Sequence, residues 1–351
     1  MKLKNLCATM TTAILGMALV AHPLLAGERL KSGYEGKVTY TTFDVPSTNP
    51  GKIKESLSRA KKKKGLTYLA LPNQKKFSPP FPLVLVLPGS GGIKDNTKYY
   101  AKEFRKLGFA SAIVDPYKPR GMKSLGTSQS GMSDASYVMD IFLAMEKLAE
   151  HPDLDMNRVA AFGRSWGGGI QMYLVSKWWT DQIGKGKNPI KFYVVLYPAC
   201  YLTEENVQPS GGEMLVLFGL KDDWDDPEPC RRYLDRLRNS GAKIKVVDFP
   251  EGHHGFDGGY GVKTREYVTY HCEAVWDNIT MVLTDKQTGK NFNLKGKGWE
   301  EFWDSTDCIK KETVHVGGTR NQRERTLEIV TEYLSEKLKQ DKNVFDNGGD
   351  L

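Results

Sequence analysis

The six residues Pro82-Leu83-Val84-Leu85-Val86-Leu87 form an apolar run with no polar position, closed by a turn that carries Gly89, Gly91 and Gly92. A strand facing water on one side alternates apolar and polar residues, so a run without alternation reads as a strand buried on both faces. Such a strand needs helices on each side of its sheet, and the chain supplies them in turn. Strands are expected at 38–45, 66–71, 110–114, 159–162, 192–196, 213–218 and 243–249, with helices at 99–107, 133–149, 170–178 and 230–239. The expected fold class is therefore α/β, a mostly parallel central sheet with helices on both faces. After Gly255 the alternation stops. Residues 258–320 read as an irregular extension with one hairpin, 279–283 and 291–294 around 284–290, before a terminal helix over 321–338. Residues 342–351, with two glycines and four Asn or Asp, read as a flexible tail, and one domain is expected over 27–341.

The first 26 residues carry Lys2 and Lys4, then a mostly apolar stretch densest from Ala13 to Ala21, and no acidic residue. That pattern is a secretory signal peptide, with Leu24 and Ala26 at the −3 and −1 positions and Gly27 as the new start. His22 and Pro23 interrupt the run before it could span a bilayer, so no membrane span is expected once the leader is removed. Its loss takes Lys2 and Lys4 away, leaving 48 basic against 42 acidic residues and a net charge of +6. The surplus lysines cluster at 52–76, around Lys61 to Lys64, with no aromatic stacking platform interleaved among them. They read as a solvated loop or helix face, and no nucleic-acid partner is expected. A periplasmic or secreted location makes disulfides admissible, and Cys200, Cys230, Cys272 and Cys308 remain after Cys7 leaves, which permits three pairings.

Chemistry is most legible in Gly163-Arg164-Ser165-Trp166-Gly167, a Gly-x-Ser-x-Gly between an expected strand and an expected helix. That context is a nucleophile elbow, where small residues admit a tight turn and the serine hydroxyl projects above the sheet. A serine hydroxyl needs a base, and the base an orienting carboxylate. Asp222 follows the strand 213–218, with Asp223 as the next choice and Asp225 and Asp226 close by; His254 follows the strand 243–249, with His253 as its rival. The backbone N–H of Trp166 is the first oxyanion donor by position, and Ser90 in the turn after Leu87 is the expected second. His151, His271 and His315 have no strand-end context and read as surface or packing residues. The glycines 89–92 lack the Lys-Ser/Thr of a phosphate loop and the third glycine of a dinucleotide fingerprint. Adjacent His253 and His254 are poorly spaced for a metal, so neither metal nor organic cofactor is expected.

Together these segments resemble the dienelactone hydrolase family of the α/β-hydrolase superfamily. The resemblance rests on residues 83–92, on Gly163-Arg164-Ser165-Trp166-Gly167-Gly168, on Leu196-Tyr197-Pro198-Ala199-Cys200, on Gly219-Leu220-Lys221-Asp222-Asp223-Trp224, and on His254-Gly255-Phe256-Asp257. It covers roughly residues 65 to 260 and implies the α/β-hydrolase fold. Ser165 stands where the founding members use cysteine, so their narrow substrate does not carry over, and Pro88-Gly89 replaces the usual His-Gly turn. Exported relatives are similar in having a cysteine after Tyr-Pro and another at the start of the next helix. The resemblance thus implies a Cys200 to Cys230 bridge, leaving Cys272 and Cys308 to staple the extension.

The reading favoured is an exported serine hydrolase acting on a small-molecule carboxylic ester or lactone through Ser165, His254 and Asp222. An acyltransferase or peptidase on the same residues, or a non-catalytic envelope-binding protein on a hydrolase scaffold, are the alternatives. Specificity is expected from the segments 115–130 and 258–318, through residues such as Tyr117, Arg120, Lys123, Tyr260 and Trp276.

Overall fold

A computed structural model describes residue 30 and residues 35–339. The expected signal peptide and flexible tail lie outside them.

In chain order the elements are β1 (Gly36–Asp44), α1 (Ile53–Ser58), β2 (Lys61–Ala70), β3 (Phe81–Leu87), α2 (Asp95–Lys106), β4 (Ala110–Asp115), α3 (Asp134–Leu148), β5 (Leu154–Arg164), α4 (Trp166–Leu174), α5 (Lys177–Ile183) and β6 (Ile190–Leu196). There follow β7 (Leu202–Glu204), β8 (Glu213–Gly219), α6 (Pro227–Asn239), β9 (Lys243–Phe249), β10 (Gly261–Tyr270), β11 (Ala274–Trp276), β12 (Val282–Asp285), β13 (Asn291–Asn293), α7 (Gly298–Ser305), β14 (Ile309–Gly318) and α8 (Arg320–Lys339).

The central sheet has eight strands in the order β1-β2-β4-β3-β5-β6-β8-β9. From β4 to β9 the neighbours run parallel, and β1 and β2 are added antiparallel at one edge. The run that opens the sequence becomes β3, buried at every position. Leu83, Leu85 and Leu87 belong to the buried cluster on one face, which also takes in residues of α3, α4 and α6, while Val84 and Val86 belong to the cluster on the other, with residues of α2 and α8. The period of two thus survives as a choice of helical layer, because both faces are apolar. The chain leaves β3 toward β4 on one side and leaves β5 toward β6 on the other, so their following turns diverge. That divergence opens a crevice at the carboxyl ends of β3 and β5, where open α/β sheets place ligands.

Three local expectations change. Lys61 to Lys64 are neither loop nor helix but the first four residues of β2, paired across from 41–44 of β1, with three of the four lysines exposed and Lys63 half-buried. The expected helix at 170–178 is two helices. The Ser176 hydroxyl donates to Glu204 at 2.6 Å while accepting from the Trp179 N–H, which ends α4 and caps α5. The segment 258–320 is largely regular: β10 and β14 pair over ten residues each, and β11, β12 and β13 join β7 in a four-stranded sheet that includes the anticipated hairpin. Disulfides join Cys200 to Cys230 and Cys272 to Cys308, the first tying the loop after β6 to α6 and the second closing the β10–β14 ladder beside its Tyr270–Ile309 pair.

Arg120, expected near the substrate, instead has a side chain only 3% exposed and pins β1 to α3. Its Nε donates to Asp44 at 3.0 Å and its Nη1 to Asp140 at 2.7 Å, and Thr42 donates to Asp140 at 2.5 Å. Trp276 is likewise core, its ring 4.8 Å from that of Trp178. Removing one partner of a buried ion pair strands the other charge, so Arg120→Ala should lower the unfolding free energy by about 3–5 kcal/mol in urea titrations. Lys62→Ala, on the exposed end of β2, should change it by less than about 0.5 kcal/mol.

Candidate active site

The turn from β5 into α4 is set by close backbone approach. A Cβ on Gly163 would lie 2.2 Å from the Gly167 carbonyl oxygen, and one on Gly167 would lie 2.2 Å from that of Leu87, so both positions exclude a side chain. Between them Ser165 adopts φ 55°, ψ −127°, a conformation an L-residue holds only when its surroundings enforce it. The Ser165 N–H donates to the Leu196 carbonyl at 2.9 Å and its carbonyl accepts from Gly169 at 2.8 Å, which fixes both ends of the turn.

Ser165 Oγ lies 2.9 Å from His254 Nε2, and His254 Nδ1 lies 3.0 Å from Asp222 Oδ2. The other Asp222 oxygen accepts the backbone N–H groups of Trp224 and Asp225, each at 3.0 Å, so this carboxylate is anchored before it meets the imidazole. Asp223, the rival foreseen from sequence, faces His315 instead. The nearer competitor is Asp225, whose Oδ2 is 3.6 Å from the same Nδ1. Burial pushes the Asp225 carboxyl up, His254 opposes that and Asp222 adds to it. Burial alone would lower the His254 pKa, but the charge and hydrogen bond of Asp222, with Asp225 adding, raise it above the ordinary histidine value. An imidazolium formed here is therefore stabilised.

Two aromatic rings hold His254, Trp224 at 4.6 Å and Tyr197 at 4.9 Å between centroids. Trp224 is itself stacked on Tyr267 and donates through Nε1 to the Val268 carbonyl at 3.1 Å. Beneath Ser165, Arg164 donates to Asp257 at 2.8 Å, and the Tyr197 hydroxyl donates to the other Asp257 oxygen at 2.6 Å. Tyr197, Trp224 and Asp257 stand in the motifs that carry the family resemblance, but no local pattern assigns them these contacts. Trp224 lies two residues after Asp222 and Asp257 three after His254, whereas Tyr197 is distant in sequence from all three and is signalled only by its place after β6.

Trp166 is the first residue of α4, so its N–H has no acceptor within the helix. Its indole donates to Asp134 at 2.6 Å. The turn after β3 abuts the serine, since a Cβ on Gly89 would come 3.3 Å from Ser165 Cβ. The carbonyls of that turn are held away: Tyr117 donates to Gly89 at 2.5 Å and Tyr137 to Pro88 at 3.2 Å. Ser90 is buried in this turn and lines the same cavity as Ser165.

Two cavities meet at Ser165, Gln129 and Trp224. One of about 210 Å³ is walled largely by aromatic and apolar side chains, among them Trp166, Tyr201, Tyr270, Trp303, Leu125 and Met132. The other, of about 260 Å³, is richer in polar side chains, with Ser90, Lys94, Asn96, Thr127 and Arg164 beside the rings of Tyr260 and Tyr267. The segments 115–130 and 258–318 both line these cavities, Leu125, Thr127 and Gln129 from the first and Tyr260, Tyr267, Tyr270, Trp303 and Ile309 from the second.

No curated protein matches the chain. Among solved structures, a Klebsiella pneumoniae protein assigned to the dienelactone hydrolases is 19% identical, with 63% of this chain and 88% of that one covered and a TM-score of 0.44. A dienelactone hydrolase-like promiscuous phosphotriesterase from metagenomic libraries is 15% identical, covering 86% and 99%, with a TM-score of 0.48. Thermogutta terrifontis esterase 2, with propionate bound, is 15% identical, covering 78% and 89%, with a TM-score of 0.48. The sequence profile of the dienelactone hydrolase family matches residues 66–286, a stretch that holds β3, the Ser165 turn, Asp222 and His254. The chain belongs to the dienelactone hydrolase family and is a carboxylic ester hydrolase of the α/β-hydrolase fold.

Proposed function

We propose that the chain is an exported serine esterase working through an acyl-enzyme. Ser165 Oγ attacks the acyl carbon and passes its proton to His254 Nε2. Asp222 keeps the Nδ1–H tautomer and balances the imidazolium. The N–H groups of Trp166 and Ser90 receive the oxyanion. The alkoxide leaves with the proton from His254, and a water then repeats the sequence to release the acid. The observation that carries this reading is the relay from Ser165 Oγ through His254 to Asp222, at 2.9 and 3.0 Å, on a strained turn.

The aromatic cavity suits a short or aryl acyl group, and the polar cavity suits an oxygen-rich leaving group. Export is supported by the basic and apolar leader and by two disulfides, which persist in oxidising compartments. Among the described residues no helix is long and apolar enough to cross a membrane.

Four outcomes follow. A fluorophosphonate probe should label the wild type and not Ser165→Ala, and undiminished labelling of that variant would refute the assignment. Asp222→Asn should lower kcat by about 10⁴-fold, as loss of the orienting carboxylate does elsewhere, whereas Asp225→Asn should keep the greater part of kcat. In kcat/KM, nitrophenyl esters of butyrate and benzoate should exceed the palmitate ester; a preference for palmitate would contradict the cavity assignment. Intact mass of protein exported by a bacterial host should begin at Gly27 and carry both disulfides.

A further inference from the structure

Outside the serine cluster, Asp223, His253 and His315 converge from three segments, the loop after β8, the loop after β9 and strand β14. Each offers a ligand atom within 4.8 Å of the other two. His253 and His254 are adjacent in sequence but serve different clusters. His254 faces Ser165 and Asp222, while the His253 ring lies 5.2 Å from that of His315. Asp223 is already oriented, because one oxygen accepts the His315 backbone N–H at 2.9 Å and the other lies 2.7 Å from His315 Nδ1. His253 Nδ1 is shielded from solvent and has no hydrogen-bond partner among the described residues. A shielded ring nitrogen without a partner is uncommon in native proteins and calls for one.

We propose that Asp223, His253 and His315 form a binding site for a divalent transition-metal ion of the zinc class. Two imidazoles and one carboxylate match Zn²⁺, whereas Mg²⁺ and Ca²⁺ favour all-oxygen sets. Ligand atoms around a tetrahedral Zn²⁺ stand about 3.3 Å apart, given metal–ligand distances near 2.0–2.1 Å. The 4.8 Å spread therefore has to contract and the 2.7 Å His315–Asp223 contact has to open. Asp223 and His315 are exposed and His253 half-buried, so their side chains have room to turn. The Asp223 oxygen held by the His315 N–H would stay as an orienting bond while the other turns to the metal. Three protein ligands leave a fourth position for water. The ion would tie β14 to the two loops whose adjoining residues are Asp222 and His254, beside the existing bond from the Gly317 N–H to the His254 carbonyl at 2.7 Å.

The test is calorimetric titration of ZnCl₂ into the full chain stripped with EDTA and dialysed, beside thermal melts over the same ZnCl₂ range. The expected result is saturable binding of about one Zn²⁺ per chain, unaffected by excess MgCl₂. His315→Gln and His253→Gln should each weaken it by at least about tenfold and abolish the rise of the melting midpoint with ZnCl₂. His254→Gln should bind as the wild type does. Metal-free melts report whether each variant is folded, and if one glutamine variant is not, the other decides. Absence of saturable binding overturns the proposal. So does binding that survives a folded glutamine variant, or binding lost in His254→Gln but kept in His315→Gln.

Discussion

The contact between Gly167 and the end of β3 governs the rest of the site. With the Gly167 Cα this close to the Leu87 carbonyl, α4 can begin only directly over the sheet, and Ser165 must take the positive φ that lifts its hydroxyl clear. The same approach brings the turn after β3 against the serine, so the Ser165 hydroxyl and Ser90 share one crevice. A Cβ at Gly167 would push α4 away from the end of β3, and one at Gly163 would push the Gly167 carbonyl away from β5, so either would shift the Ser165 hydroxyl relative to the Ser90 turn. The strain at Ser165 persists because α4, β6 and β3 each hold one side of the turn.

What was legible in the sequence was what local pattern dictates. An unbroken apolar run cannot be a half-exposed strand, and a Gly-x-Ser-x-Gly between strand and helix has few other uses. Lys61 to Lys64 were misread because nothing in four consecutive lysines favours a strand; pairing with β1 supplies the hydrogen bonds and leaves most of the ammonium groups in water. The helix break before Lys177 was hidden because it depends on Glu204, far away in sequence. Among the clustered aspartates, spacing could not tell which reaches His254. Asp222 does so because its other oxygen is held by two N–H groups of its own loop, while Asp223, one residue on, points toward β14.

The extension after Gly255 is where sequence said least and the structure adds most. Its regularity rests on partners distant in the chain: β10 with β14, and β11 with β7. Short strands without alternation look irregular until those partners are present. Arg120 and Trp276 show the opposite error, residue types suited to a binding site that serve as a buried ion pair and a core ring. Chemistry at a position follows from what surrounds it, and for these two the surroundings lie on other elements.

The extension also explains why one serine faces two unlike cavities. The parallel sheet and its helices position Ser165, His254 and Asp222 but supply only the floor above the strand ends. Tyr270, Trp303 and Ile309 wall the aromatic side, and Tyr260 and Tyr267 line the polar side. Trp224 stands between them, held by the Tyr267 ring and the Val268 carbonyl of β10 while its own ring supports His254. A shift of β10 would therefore change cavity shape and imidazole position together. The Cys272–Cys308 bridge closes the same ladder at its far end, so the covalent link that stabilises the extension also restrains the wall of the site. The walls of both cavities and the setting of the His254 ring are thus mechanically joined through β10.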